Sequence, residues 1–574
     1  MKISSKFLAS WIIVSGVSGL SAAHAQSAPG TAIRFVPGML PSTGSLLQST
    51  PDLLVPDAPR SNTPVEPVEI HKAAPSESTK GEVIHVVRIE VDDVPPALQS
   101  RVNSIVAAYQ DRNLTFGELR DIAAEISEAL VSAGEALSYA MIPPQKVEGG
   151  VIRMAVISGH LESVVLGKNK SRVSDTVLER YMQRIQNEST NIVRAQAEIS
   201  RLADLPGIGG ISPVLAAGTQ PGGSILTLGI AAEPAVEAVL VADNNGSETT
   251  GRNRIGFQFT ANSPLKIGDR FQFMGYAAPD IFQFTSNSNS GYTLLGRASY
   301  DLPIGAAGMR AGLAFARVNY ALGGLYKGIG DGNANIVTLY ANKSLIRKHN
   351  NDLSLSASLD YKSMRDTIVS SDNKRSDLVA GLQVSGNYGS TLAGRPNAIQ
   401  YEAGIGAGRI DNPDPFWGVS TDGRFYKATQ NVRVTQSLVS DVLLEMAWNG
   451  QQASRTLDSV EKMALGGPGA VRAYTTDAAS VDSGWIGSVV LSTGVPKVKG
   501  LRAQIFYEMA HGKPQKFGAR GVSPSVNLSG YGAGLNYTAG NRANVSISYA
   551  RPIKSIAAGG HASGAVWVNT ALKI

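Results

Sequence analysis

The sequence predicts two small α+β domains in tandem, followed by a transmembrane antiparallel β-barrel of about sixteen strands. Three observations predict it. The chain opens on a secretory leader. Residues 82–232 twice run through strand, helix, helix, strand, strand. From about residue 235 the helical period vanishes, and apolar and polar residues alternate to the C-terminus.

Residues 1–25 read as the leader. Lys2 and Lys6 precede a short apolar core from Phe7 to Leu20, and Ala23-His24-Ala25 offers a small-residue cleavage site. The mature chain is therefore expected to begin at Gln26. Residues 26–80 hold nine prolines among many Ser, Thr and Ala. Such a segment buries too little apolar surface to offset its ordering entropy, so a linker is expected. Within it, Ser45-Leu46-Leu47 is read either as a small helix or as part of a plain tail.

The first α+β unit is placed at 82–158. Val83 to Val91 is rich in β-branched residues and reads as one strand, and a helix is expected over Pro96 to Tyr109. Thr115 and Glu118 have capping-box spacing. Leu119, Ile122, Ile126 and Leu130 then recur at helical spacing and form one apolar face. Strands are expected at Ala136–Ile142 and Val151–Ile157. The second unit, 159–232, repeats the order. Leu161–Leu166 is a strand, and Ser174 can cap a helix bearing Leu178, Tyr181, Met182 and Ile185. A second helix carries Ile192, Ala195, Ile199 and Leu202 and stops at Leu205-Pro206-Gly207. Strands near Ile211–Ala217 and Ser224–Ala231 complete it.

Residues 235–574 make the barrel. Leu353, Leu355, Ala357, Leu359 and Tyr361 alternate with Ser354, Ser356, Ser358, Asp360 and Lys362. A period of two puts each set on its own face of a sheet. The polar face carries Arg, Asp and Lys, which suits a wet lumen with the apolar set turned to lipid. A large secreted β-protein is the alternative. Divided by roughly 20 residues per strand and connection, the segment gives about 16 or 17 strands, and an even count favours 16.

Other chemistry is missing. Outside the leader no apolar run is long enough for a membrane helix. The chain has no cysteine, so disulfides and thiolate metal sites are excluded. Its net charge of +6 is spread without a basic run, so no nucleic-acid partner is expected. No two of the seven histidines lie three or four apart, and no nucleophile elbow or nucleotide loop appears. No cofactor or metal and no enzymatic activity are expected.

Several segments carry a resemblance. Gly150-Val151-Ile152-Arg153-Met154-Ala155-Val156-Ile157-Ser158-Gly159 and Leu202-Ala203-Asp204-Leu205-Pro206-Gly207 resemble the ends of polypeptide-transport-associated (POTRA) domain elements. Asp243-Asn244-Asn245-Gly246-Ser247 resembles a first barrel hairpin. Gly466-Gly467-Pro468-Gly469-Ala470-Val471-Arg472-Ala473-Tyr474 resembles the V-R-G-Y tip of a long sixth extracellular loop. In order and spacing these segments resemble the two-partner secretion outer-membrane transporters (TpsB), the haemolysin secretion/activation protein family with POTRA domains. Ala473 stands where that family usually has glycine. The C-terminal Ile574 stands where outer-membrane barrels often have an aromatic residue.

The resemblance implies export of a large haemolysin- or adhesin-type exoprotein (TpsA) to the cell surface. Its gene is expected beside this one. It implies an outer-membrane barrel in contact with lipid and POTRA domains in the periplasm of a Gram-negative bacterium. It implies a loop motif of Val471, Arg472, Ala473 and Tyr474 inside the lumen. The wall partner of Arg472 would come from the F-x-D position, here Phe506-Tyr507-Glu508, with Glu508 in place of aspartate. Exoprotein binding is expected at the helices bearing Leu119, Ile122 and Ile126, and Ile192 and Ile199, and at the edge strands near Val83–Val91 and Leu161–Leu166. The patch near Leu46 would plug the resting pore. A barrel-assembly factor of the same superfamily is the alternative, but it usually carries more POTRA domains than two.

Overall fold

A computed structural model describes residues 83–135, 137–278, 291–348, 350–369, 371–415, 420–439, 441–515, 525–553 and 564–574. The expected leader, linker and Leu46 patch lie outside them. The chain divides into an N-terminal unit ending at Pro234 and a barrel unit beginning at Ala235.

The N-terminal unit begins with β1 (Val83–Val86) and β2 (Arg88–Asp92). One strand was the expectation from composition; the run instead breaks at Val87, whose N–H donates to the Gly150 carbonyl at 2.8 Å. Gly150 has φ +74°, and a Cβ there would lie 2.7 Å from Val87 Cγ2. Only a residue without a side chain fits both demands. After α1 (Gln99–Ala107) comes β3 (Arg112–Thr115), a short strand absent from the sequence reading. It pairs with β1, while β2 pairs with a different sheet. α2 (Phe116–Ser132) starts at the expected capping box. Glu118 N–H donates to Thr115 Oγ1 at 3.2 Å, and Thr115 N–H donates to the Glu118 carboxylate at 2.6 Å. β4 (Tyr139–Met141) and β5 (Val151–Ile157) complete a sheet of order β2-β5-β4.

The next elements are β6 (His160–Asn169), α3 (Asp175–Asn187), α4 (Ile192–Ala203), β7 (Ile208–Ala217) and β8 (Gly223–Ala232). The sheet order is β6-β8-β7, so β6 and β7 are edges. Ser174 occupies the cap position of α3 but makes no side-chain capping bond. Asn191 does cap α4, accepting from Arg194 N–H at 3.0 Å. The buried Glu198 on α4 takes Arg184 Nε from α3 at 3.1 Å and also pairs with Arg201, tying the helices together.

The β7–β8 turn hangs on one carboxylate. Glu162 accepts from the hydroxyl of Thr219 and from the N–H groups of Thr219 (2.7 Å) and Gln220 (3.2 Å). The Thr219 hydroxyl, then the Gln220 and Thr219 amides, hold its carboxyl below the usual carboxylate range. A lowered folded value means the contribution is present at neutral pH and lost as pH falls through that value. Protection of the Thr219 and Gln220 amides, taken relative to the intrinsic exchange rate at each pH, is therefore expected to fall below the ordinary glutamate range and to be unchanged between neutral pH and that range. Glu162→Gln should show the lower protection already at neutral pH, with no further fall through the carboxylate range.

The barrel is a single closed antiparallel sheet of sixteen strands. Its first eight are β9 (Val236–Asp243), β10 (Arg254–Asn262), β11 (Arg270–Ala278), β12 (Tyr292–Pro303), β13 (Met309–Ala321), β14 (Gly330–Lys348), β15 (Asn351–Ile368) and β16 (Ser371–Leu392). Then come β17 (Arg395–Asp411), β18 (Gly423–Val439) and β19 (Val442–Ala453). After two short loop strands, β20 (Met463–Ala464) and β21 (Ser480–Val481), follow β22 (Ser483–Gly494), β23 (Leu501–Lys513), β24 (Val526–Ala539), β25 (Ala543–Pro552) and β26 (Ala565–Lys573). β26 closes on β9 through the five pairs from Asn569↔Asp243 to Lys573↔Val239.

Burial is inverted relative to a soluble sandwich. Leu359 and Tyr361 are exposed, whereas the neighbouring Lys362 is covered. The same holds for exposed Leu378 and Leu382 beside covered Arg375 and Asp377. A closed sheet with an apolar exterior and a charged interior has unfavourable surface in water and favourable surface in a bilayer.

Candidate functional site in the barrel lumen

Residues 454–482 connect β19 to β22 and fold back against the inner wall. The flanking strands are pinned by stacked Trp448 and Trp485, whose ring centroids are 4.9 Å apart. The loop is self-braced. β20 and β21 form a two-residue ladder, and Val471 N–H donates to the Leu465 carbonyl at 3.1 Å. Gly467 N–H donates to the Tyr474 carbonyl at 3.0 Å. Its tip is thereby braced around a core of Leu465, Val471, Ala473, Tyr474 and Val481.

Arg472 projects from that tip onto β23. Its Nε donates to Glu508 Oε1 at 2.6 Å, and its own backbone N–H donates to Glu508 Oε2 at 2.7 Å. Both oxygens of the buried carboxylate are thus engaged by one residue. The guanidinium carbon lies 3.4 Å from the centroid of the Phe506 ring, so Phe506 stacks on the cation that Glu508 neutralises. The alternation of β23 explains the pairing: Phe506 and Glu508 are two apart and share the inward face. Trp567 Nε1–H on β26 donates to the Arg472 carbonyl at 2.6 Å. Tyr474 donates its hydroxyl to the Ser529 carbonyl on β24 at 3.2 Å. Glutamate in place of aspartate costs no contact here, since the longer side chain reaches both donors.

Ala473 is buried and has no left-handed φ, so the missing glycine brings no backbone strain. Its methyl faces Gly530 on β24, where an added Cβ would lie only 2.4 Å away. Gly530→Ala is expected to push the tip off the wall at an overpacking cost of about 1–3 kcal/mol. Raised protease cleavage within 454–482, with unchanged barrel migration on unheated gels, would show it.

A second anchor, missed in the sequence reading, lies nearer the start of the loop. The 3₁₀ turn Ser459–Glu461 presents two acids. Glu461 pairs with Lys362 on β15 and with Lys427 on β18, the latter at 2.6 Å. Asp458 forms an ion pair with Arg375 of β16, with Nε 2.8 Å from its Oδ2, and Arg375 also pairs with Asp366 at 2.7 Å. Tyr320 adds its hydroxyl to Asp366 at 2.8 Å. Counted from β9 around the ring, β15 and β16 are seventh and eighth, whereas β23 and β26 are thirteenth and sixteenth. The loop is therefore fastened on two separated sides of the lumen. It also meets the first hairpin: Ser247 Oγ donates to Asp477 Oδ2 at 2.7 Å and Thr476 Oγ1 to the Asn245 carbonyl at 3.0 Å.

The N-terminal residues expected to bind exoprotein are placed differently. Leu119, Ile122 and Ile126 are buried in the core of the first unit, and Ile192 and Ile199 are buried in the second. These five side chains hold the helices to their sheets and offer no docking surface, which corrects the expectation. Helical periodicity reports the face that packs, and here the packing partner is the domain's own sheet. Apolar side chains that do reach the surface include Val87 beside the edge strand β2, Val165 on β6 and Val214 on β7.

A family model described as haemolysin secretion/activation protein ShlB/FhaC/HecB matches residues 222–537, and one described as POTRA domain, ShlB-type, matches 84–159. The heme/hemopexin transporter protein HuxB of Haemophilus influenzae is 26% identical over 467 residues, covering 78% of this chain and 80% of that protein. CdiB from Escherichia coli superposes with a TM-score of 0.64 at 17% identity, over 87% of this chain and 92% of that one. BamA from Haemophilus ducreyi, lacking POTRA domains 1–3, gives 0.51 at 13% identity, over 86% and 100%. Both structural likenesses are of fold.

Proposed function

This chain belongs to the haemolysin secretion/activation protein family, ShlB/FhaC/HecB, and on that premise we propose how its parts divide the work of export. It is an outer-membrane β-barrel transporter of two-partner secretion, acting with a secreted exoprotein, and its N-terminal POTRA region is periplasmic. In our reading, residues 1–25 direct the chain out of the cytoplasm and are removed. Residues 26–80 form the linker whose Leu46 patch plugs the resting pore. Units 82–158 and 159–232 receive the unfolded exoprotein, encoded by a neighbouring gene. Exposed edges of β2 and β6 accept it as an added strand. No catalytic step is assigned to this chain; progressive folding of the exoprotein outside the cell draws it through.

The observation that carries this reading is the loop of Arg472, fastened at two places across the lumen of a closed barrel. A passage for a polypeptide needs an obstruction that is held firmly at rest yet released without breaking the wall. Ion pairs between loop and wall supply both, because passing polar chain can take over the contacts of each partner in turn. Deletion of the gene is expected to remove the exoprotein from surface and medium while other outer-membrane barrels keep their levels. A general fall in those barrels would instead favour an assembly factor.

A further inference from the structure

The odd-numbered positions around the ring run away from the periplasmic end, where the N-terminal domains join β9. β15 and β17 therefore finish at the cell exterior, and β16 and β18 begin there. The outward residues of these strands form a band that is apolar except at Gln430: Leu353 to Tyr361 on β15, Tyr388 to Leu378 on β16, Ile399 to Ala407 on β17, and Val434 to Tyr426 on β18. Just above the band each strand turns outward a cation: Arg365, Lys374, Arg409 and Arg424, all exposed.

Their register is unusual. Arg365 is the direct partner of Lys374, and Arg409 is the direct partner of Arg424. Like charges directly opposite across an antiparallel pair destabilise the pairing. Two such pairs sit on neighbouring strand pairs at one rim. Asp372 takes Arg365 at 2.5 Å, exposed Asp411 lies two residues beyond Arg409, and exposed Asp422 lies two residues before Arg424. Lys374, Arg409 and Arg424 make no ion pair among the described residues. Four cations thus face three carboxylates, and a further anion set between the cross-strand pairs would offset the like-charge contacts that remain.

Depth selects the anion. The cations lie two to four residues beyond the last apolar outward residue. At roughly 3.3 Å per residue and about 40° of tilt, that is about 5–10 Å above the hydrocarbon edge, the level of lipid headgroups. Their methylene stems can lie on apolar surface with the charge at that level. We infer that the outer rim of β15–β18 is a binding site for the phosphate groups of an outer-leaflet glycolipid, held between the cross-strand pairs Arg365–Lys374 and Arg409–Arg424. Guanidinium forks suit phosphate oxygens, and the headgroup would fix these four strands in the leaflet beside the wall that carries Lys362 and Arg375.

The test uses the purified full-length chain in neutral detergent, with lipid A as probe and retained lipid counted by native mass spectrometry. The triple substitution Lys374→Gln, Arg409→Gln, Arg424→Gln is expected to lower retained lipid A about tenfold or more, through loss of charge-assisted contacts. Arg395→Gln, exposed at the opposite end of the barrel, is expected to change nothing. Unheated gel migration checks that each barrel is folded, and Arg409→Gln alone serves if the triple variant is not. Equal retention by wild type and the variants would overturn the inference. So would displacement of lipid A by inorganic phosphate at equal phosphate concentration, which would make the rim a free-anion site. Equal retention of phosphatidylglycerol would overturn the assignment to glycolipid.

Discussion

Arg472→Ala is expected to detach the tip of the loop while leaving the sixteen-stranded wall intact. The substitution removes a side-chain bond of 2.6 Å to a buried carboxylate and the guanidinium that covers Phe506. Glu508 then keeps only the backbone N–H of residue 472, with no cation nearby to balance it. Breaking a buried pair by removing one partner costs about 3–5 kcal/mol, most of it the uncompensated charge left behind. The wall ladder contains none of the lost contacts, so the cost falls on the loop's position. Protease cleavage and amide exchange within 454–482 should rise sharply, with normal unheated migration of the barrel. Glu508→Gln should release the tip too. Arg472→Lys should restore it only partly, because an ammonium does not stack on Phe506 as a plane. Unchanged protection of the loop in Arg472→Ala would show that its self-bracing alone holds it.

Glu461→Ala is expected to be as severe at the other anchor. It leaves Lys362, covered on β15, with Asp377 at 3.6 Å as its remaining ion-pair partner. Lys427 loses its carboxylate as well. The cost is again about 3–5 kcal/mol. Two features distinguish this prediction from the first. Pairing Glu461→Ala with Lys362→Met should recover much of the loss, because the stranded charge is removed with its partner. And the released segment should be the start of the loop, so exchange should rise first around Ser459–Glu461, with Arg472 still protected. A double-mutant cycle between Glu461→Ala and Arg472→Ala should be close to additive for loop protection if the two anchors act separately.

Much of this was legible because period and spacing carry it. The barrel and its strand number follow from alternation and length, and three of the four N-terminal helices follow from their apolar faces, one of them opened by the capping box of Thr115 with Glu118. Arg472 and Glu508 could be matched through a motif and a two-residue inward spacing. The Glu461 anchor could not. Asp458 and Glu461 lie in a loop with no periodicity, and their partners Lys362, Arg375 and Lys427 come from strands far away in sequence, so only closure of the ring brings them together. β3 was missed because Arg112-Asn113-Leu114-Thr115 has little strand propensity and exists through its pairing with β1. The break at Val87 depends on Gly150, more than sixty positions away. The five helix residues Leu119, Ile122, Ile126, Ile192 and Ile199 show the opposite case. Their periodicity was read correctly, but it describes the interior.

The central claim is that the anchored loop serves transport. The measurement that tests it most directly is the amount of exoprotein reaching the cell surface and medium when Arg472→Ala replaces the wild-type chain at equal barrel abundance. The neighbouring exoprotein gene is expressed unchanged in both strains. Export falling to the level of the deletion strain, with the exoprotein held in the periplasm, is the predicted result. Export equal to wild type from a folded Arg472→Ala barrel would contradict it, and the Arg472–Glu508 pair would then be a structural contact with no part in secretion.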